Sequence, residues 1–155
     1  MMLAFYPLSL SDAAVLQAAC WPELSLVEAE TRVKRFTTLQ EKNRAFCIVA
    51  RRDSEVVGFG QLVRWVHSYE ICDLIVPEAY RGQGIGSALI QRLTKIAGEN
   101  NIPTVEIGGA LSNPRALTLY RRLGFEEAHH RFLDLGDGPE PVLYLQLQPE
   151  KETQP

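Results

Sequence analysis

Basic charge is in short supply in this chain: 16 Lys and Arg stand against 19 Asp and Glu in 155 residues, a formal net charge of −3. With no run of Lys and Arg interleaved with aromatics, the sequence carries no electrostatic footprint for nucleic acid. Cysteine is scarce as well. Cys20, Cys47 and Cys72 are odd in number and far apart, and Cys47 and Cys72 sit in apolar strand-like runs, which argues against a disulfide framework or a Cys-rich metal site and predicts buried thiols. No metal is expected. No segment has the apolar length needed to span a bilayer. The opening residues are apolar but lack a basic start and are interrupted by Asp12, and Leu16-Gln17-Ala18-Ala19-Cys20 lacks the apolar core that would precede a lipoprotein cleavage site, so it reads as helix. A cytoplasmic protein without a membrane partner is expected.

With 46% hydrophobic and 23% charged residues, the chain can bury one substantial core. A single domain over residues 1–148 is expected, followed by a polar tail over 149–155. There is no internal repeat and no low-complexity segment. The most informative stretch is Tyr80-Arg81-Gly82-Gln83-Gly84-Ile85-Gly86-Ser87. The apolar run Ile71-Cys72-Asp73-Leu74-Ile75-Val76, stopped by Pro77, reads as a strand covered on both faces. After the loop, Ile85, Ala88, Leu89, Leu93 and Ile96 recur at helical spacing, Gln91, Arg92 and Lys95 fall off that stripe, and Gly98 closes the segment. Glycines that let a backbone approach a ligand, followed by the unpaired first amides of a helix, make an anion site suited to a pyrophosphate.

Other nucleotide loops fit less well. A phosphate-binding loop of the NTPase type needs Gly-Lys-Ser/Thr, and here Ile85 precedes Gly86-Ser87 with no lysine in the loop. A dinucleotide fingerprint can be forced onto Gly82, Gly84 and Ser87 with Glu106 beyond, but Pro77 to Arg81 separates strand from glycines. A surface loop relieved by glycine would need only one glycine, where this one has three at alternate positions.

Downstream, Asn113 to Phe125 reads as a complete short helix. Asn113 is the N-cap, Pro114 the first helical residue, and Gly124 the left-handed residue after the end, with Phe125 packing back. Ala116, Leu119, Tyr120 and Leu123 share a face. Together the two blocks resemble the GNAT superfamily of acyl-CoA-dependent N-acyltransferases. Its Gln/Arg-x-x-Gly-x-Gly/Ala signature matches Arg81 to Gly86, and its Asn-x-x-Ala-x-x-x-Tyr-x-x-x-Gly-Phe block matches Asn113, Ala116, Tyr120, Gly124 and Phe125.

The remaining elements follow in order. A strand near Met2 to Tyr6 precedes helices over Asp12 to Cys20 and from a Ser25/Glu28 capping box to about Leu39, broken at Trp21-Pro22. Ala45 to Ala50 and Val56 to Val63 flank a hairpin turn. After the Ile71 strand and its helix come a strand over Thr104 to Ile107, the Asn113 helix, and strands near Arg131 to Leu135 and Val142 to Leu147. That order fits what the resemblance implies: an α/β fold of mixed α+β type, with a central mixed, mainly antiparallel twisted sheet flanked by helices. The resemblance further implies that the Ile71 and Thr104 strands splay apart and that the cofactor's pantetheine arm pairs with the freed main chain.

The activity so implied is transfer of an acetyl group from acetyl-CoA to an amine by direct attack. Cofactor contacts would come from Leu74, Ile75 and Val76, from Arg81, Gly82, Gln83, Gly84, Ile85, Gly86 and Ser87, and from Asn113 and Tyr120. Main-chain N–H groups around Leu74 to Val76 would polarise the thioester, and Tyr120, whose phenol is protonated at neutral pH, would protonate the leaving thiolate. Glu70 is preferred as the base over Asp73, His67, His129, His130 or a relay through water. Regular alternation groups Glu70 with Leu74 and Val76 and puts Asp73 on the other face, a parity that a bulge would shift. Trp21, Glu28, Trp65, His67, Tyr69 and His129 are candidates for the acceptor wall, and aromatics beside carboxylates suit a cationic amine, whether small molecule, peptide or protein. A homodimer is compatible with the resemblance. The alternative reading is a catalytically silent acyl-CoA-binding regulatory module.

Overall fold

The computed structural model describes residues 2–151. Seven strands form one sheet in the order β1-β2-β3-β4-β5-β7-β6. They are β1 (Leu3–Pro7), β2 (Ala45–Arg52), β3 (Glu55–Arg64), β4 (Tyr69–Ile75), β5 (Val105–Ala110), β6 (Glu126–Asp134) and β7 (Pro139–Leu147). Among the described residues, only β4 and β5 run parallel. The helices are α1 (Ala13–Cys20), α2 (Leu26–Glu41), α3 (Ile85–Glu99) and α4 (Pro114–Arg122). Element order and sheet type match the expected mixed fold.

Two cores lie on opposite faces of the sheet. On one, α3 lays Ile85, Leu89, Ile90 and Leu93 against β2–β4, with Leu117 of α4 beyond; burying each such side chain is worth about 1.5–3 kcal/mol. On the other, α1 and α2 cover β2 and β3, packing Leu16, Ala29 and Val33 around Trp21, Phe36 and Phe59. The helix starts follow local chemistry. Ser25 Oγ accepts from the Glu28 amide (3.1 Å) while Glu28 Oε1 accepts from the Ser25 amide (3.2 Å), completing the capping box.

Helices α1 and α2 cover β2 and β3, the same core reaches β4 at Cys72 and Ile75, and the two helices make no extensive contact with β5, β7 or β6. This corrects one expectation. The apolar run of β4 is only partly enclosed, and Ile71 alone within it is fully buried, because the α1/α2 core meets it only at Cys72 and Ile75 and its neighbour diverges. A second correction concerns Gly98, which lies inside α3 rather than ending it. A Cβ there would collide with the carbonyl oxygen of Glu150, so glycine lets residues 149 and 150 cross the helix in contact. Pro149 is buried at that crossing.

Candidate active site

Strands β4 and β5 pair only at Glu70 with Glu106 and Ile71 with Ile107, then part. On its other side, β4 breaks register against β3: Gln61 faces Cys72 and Phe59 faces Ile75, so Asp73 and Leu74 together oppose Gly60. Asp73 takes the left-handed conformation, φ 55°. This bulge shifts the parity that alternation alone predicts. Leu74 and Val76 join Ile71 on the α3 side, while Cys72 and Ile75 pack towards α1 and α2, which leaves Glu70 on the open face, opposite Ile71.

At one end of the splay stands the glycine loop. Gly82 (φ 76°) and Gly84 (φ 81°) are left-handed, and Cβ atoms built on them meet nothing within 4 Å, so backbone conformation rather than space requires glycine. Gly84 is the N-cap of α3 and no side chain caps the helix, which leaves the first amides as free donors at the positive end of its dipole. The loop lines a cavity of about 460 Å³ with Val76, Arg81, Gly86 and Ser87 on one side and Arg115, Leu119 and Arg122 of α4 on the other. Arg81 Nε donates to the Val76 carbonyl at 3.0 Å, bracing loop against strand. Gln83 turns away, accepting from Arg52 Nη1 at 2.6 Å, and the Ile85 side chain is in the core, so only its amide is available to a ligand. A larger cleft of about 740 Å³, between α3 and residues 147–151, holds none of the expected site residues.

Helix α4 positions Tyr120. Asn113 Oδ1 accepts from the Ala116 amide at 3.3 Å, so the cap occupies that oxygen. At the far end the Phe125 amide donates to the Tyr120 carbonyl (3.1 Å) and the Gly124 amide to the Arg121 carbonyl (3.0 Å), a Schellman closure with Gly124 at φ 99°. The closure folds Phe125 back to 6.5 Å from the Tyr120 ring. A Cβ on Gly109 would lie 3.3 Å from Tyr120 Cε2 and 2.6 Å from Leu117 Cδ2, so the bare backbone of β5 lets the phenol ring lie against the splay. Burial raises the Tyr120 pKa above the ordinary phenol value, so the hydroxyl stays protonated at neutral pH.

The open face carries an acidic and aromatic floor. Glu70 and Glu106 are register neighbours across the parallel pair. Burial raises the Glu70 pKa, opposed by the Trp65 indole N–H, which donates to Glu70 Oε1 at 2.9 Å, and supported by the charge of Glu106. Glu106 is buried and accepts from Gln146 Nε2 at 2.9 Å; His129 Nδ1 lies 4.0 Å from it. Tyr144 lies over Gly108, where a Cβ would stand 3.1 Å from the ring, and is stacked on His129 (5.1 Å) with the Arg131 guanidinium 5.0 Å from its centroid. Of the expected acceptor-wall residues, Trp65 and His129 stand here. Trp21 does not: it is 2% exposed, edge-on to Phe36 and Phe59 in the core. Tyr69 packs on the α3 side, Glu28 is spent in its capping box, and His67 and His130 are exposed. Among the described residues no His, Cys, Asp and Glu group is placed to hold a metal, and no helix is long and apolar enough to cross a membrane.

The sequence profile described as the Acetyltransferase (GNAT) family matches residues 11–125. The chain belongs to the GNAT family. An N-alpha-acetyltransferase of Sulfurisphaera tokodaii is 36% identical over 102 residues, 57% of this chain and 60% of that protein. The chain spans about half the length of the curated relatives it matches. Among solved structures, a chimera of the Vibrio cholerae spermidine N-acetyltransferase superposes with a TM-score of 0.80 at 20% identity, covering 96% of each chain. A Salmonella typhimurium protein solved with acetyl-CoA as its cofactor superposes with a TM-score of 0.76 at 20% identity, covering 100% of this chain and 98% of that one.

Within this GNAT fold, sequence reasoning passed over Arg115, Arg122, Gly108, Gly109 and Tyr144. Arg115, Leu119 and Arg122 follow the four- and three-residue spacing of one helical face, which was a usable signal. A Gly-Gly pair at the end of a strand marks a close approach. Tyr144 offers no such sign, because an aromatic in a late strand reads as core.

Proposed function

We propose that this protein transfers an acetyl group from acetyl-CoA to a primary amine by direct attack. The observation that carries the reading is the splay itself. It opens unpaired β main chain between an uncapped, arginine-flanked helix start at one end and a phenol seated on Gly109 at the other. These groups fit acetyl-CoA: the amides of Ile85, Gly86 and Ser87 with Arg81, Arg115 and Arg122 suit its phosphates, and the freed edge of Leu74 to Val76 suits its amide-bearing arm. When bound, acetyl-CoA supplies an activated acyl thioester and a thiol leaving group.

The chain's own groups divide the remaining work. Main-chain N–H donors around Leu74, Ile75 and Val76 stabilise negative charge on an acyl oxygen. Glu70, with a raised pKa and the Trp65 N–H holding one carboxylate oxygen, takes a proton from the amine. Tyr120 gives a proton from its hydroxyl. The acceptor enters over the open face, where two carboxylates and the Tyr144 and Trp65 rings favour a cation. Relatives named for N-alpha-acetyl transfer and structural neighbours named for spermidine support an amine acceptor.

The test is calorimetric titration with acetyl-CoA, CoA, NAD and ATP, followed by CoA release with a panel of polyamines, amino acids and peptides bearing free amino termini. Tyr120→Phe is expected to lower kcat by about 10²–10⁴-fold with acetyl-CoA affinity unchanged. Failure to bind either CoA form overturns the reading. Tight binding with no turnover on any amine would favour the silent acyl-CoA-binding module.

A further inference from the structure

A polar strut, buried except at its Asp73 end, crosses three strands beside the splay. Gln61 on β3 is 2% exposed, and its amide N–H donates to the Asp73 carboxylate on β4. Its Oε1 accepts from the Cys47 thiol on β2 at 3.3 Å. The orientation is chemically fixed. An ionised carboxylate can only accept, and burial, aided by the Asp73 charge, pushes the Cys47 thiol up to about 12, so at neutral pH it remains a donor. Thiol, amide and carboxylate therefore point one way along the strut, and the amide uses both of its ends.

Asp73 is the left-handed residue of the β4 bulge. Asp is among the few side chains that tolerate this conformation, but tolerance does not select it. An unbulged β4 would regain regular pairing with β3, and every residue beyond the bulge would change face. Leu74 would then leave its contact above Gly60 beside Leu93, where Leu74 Cδ2 lies 2.7 Å from the position a Gly60 Cβ would take. The Gln61 amide reaches Asp73 in the bulged register. We propose that Gln61 and Asp73 are positioning residues: their hydrogen bond locks the β4 bulge and so aims the main chain of Leu74 to Val76 into the splay.

The kinetic consequence rests on the acetyl-transfer reading, whereas the conformational one does not. The experiment compares wild type with Asp73→Ala, Asp73→Asn and Gln61→Leu. It reads kcat and KM for acetyl-CoA on an amine found by the panel, and amide hydrogen exchange at residues 73–75 in the free protein. A lost charge-assisted hydrogen bond is expected to speed exchange at these amides, and to lower kcat, by about tenfold in Asp73→Ala and Gln61→Leu. The acetyl-CoA KM should rise in the same two variants, since the main chain that the bulge aims is also the edge proposed for the amide-bearing arm. Asp73→Asn keeps both an acceptor for Gln61 and tolerance of the left-handed backbone, and is expected to rescue both readouts. If Asn is as poor as Ala, the negative charge matters rather than the lock, and the proposal fails. Native exchange at residues 73–75 in both Asp73→Ala and Gln61→Leu overturns it as well. Asp73 is exposed, so its variants answer even if Gln61→Leu folds poorly. A wild type that binds no acetyl-CoA would instead defeat the functional reading, with exchange still deciding the lock.

Discussion

Replacing Gly84 separates backbone strain from ligand electrostatics. It is the left-handed N-cap of α3, exposed, with nothing within 4 Å of a built Cβ. Gly84→Ala therefore introduces no clash and costs only the left-handed penalty, about 1–2 kcal/mol. Each kcal/mol corresponds to about 2–4 °C in Tm for a chain of this size. Gly84→Glu carries the same strain and adds a carboxylate where the phosphates are expected. At about 5 Å in a water-like dielectric, that carboxylate repels each phosphate charge by about 0.8 kcal/mol, or about 1.7 kcal/mol for a doubly charged pyrophosphate. Converted to affinity this is about fifteenfold in Kd. The assay is calorimetric titration with acetyl-CoA on the three proteins at low salt, with thermal melts alongside. Gly84→Ala should bind within about threefold of wild type at a lower Tm, and Gly84→Glu about tenfold or more weaker at the Tm of the Ala variant, with added salt narrowing the gap. Equal affinity for the Ala and Glu variants would refute the location of the pyrophosphate at the start of α3.

Four further expectations follow from the geometry. Because burial raises the Glu70 pKa, kcat/KM should fall with acid through a pKa above the ordinary carboxylate value, and Glu70→Gln should lose that limb along with most turnover; an unchanged limb excludes Glu70 as the base. The same shift means that the folded protein holds this proton more tightly than the unfolded chain, so ionised Glu70 opposes folding at neutral pH. Glu70→Gln should melt higher there, with the advantage vanishing as pH drops below the unfolded-state value. Arg115→Ala and Arg122→Ala should each weaken acetyl-CoA binding, with a loss that shrinks as salt rises, whereas uniform loss at all salt concentrations would mean a packing role. Gly98→Ala should destabilise by about 1–3 kcal/mol, read as a lower Tm, because its methyl meets the Glu150 carbonyl oxygen; shortening the chain before Pro149 should remove that difference.

The parts of the fold legible in the sequence are those where local chemistry decides. The Ser25/Glu28 capping box, the Asn113 cap and the Gly124 closure all form as their residues imply. The less legible parts depend on neighbours distant in sequence. β6 begins at Glu126 rather than near Arg131, since an edge strand exposed along most of its length has no buried face to write alternation into Glu126 to His130. β5 extends to Ala110 through Gly108 and Gly109, beyond the Ile107 end expected for it, and Tyr144, Leu117 and Tyr120 show what fills their missing side chains. The separation of Leu74 and Val76 from the face of Glu70 depended on a one-residue bulge that no periodicity announces. Trp21 was a candidate for the acceptor wall because the resemblance draws that wall from the first two helices, yet the break after α1 turns it into the core.

The strand order has a consequence for how the molecule is made. β7 lies between β5 and β6, so a nascent chain that has emerged only as far as residue 138 already contains α3, α4 and β5 but leaves Val105–Ala110 with one bare edge. Glu106 then lacks Gln146, and Gly108 lacks the ring that covers it. Such an edge is a template for pairing with other chains. The open face around Glu106 and Tyr144 is thus the last region to take shape during synthesis, and a ribosome paused before Pro139 would display the glycine loop and α3 without the strand that completes the other half of the sheet.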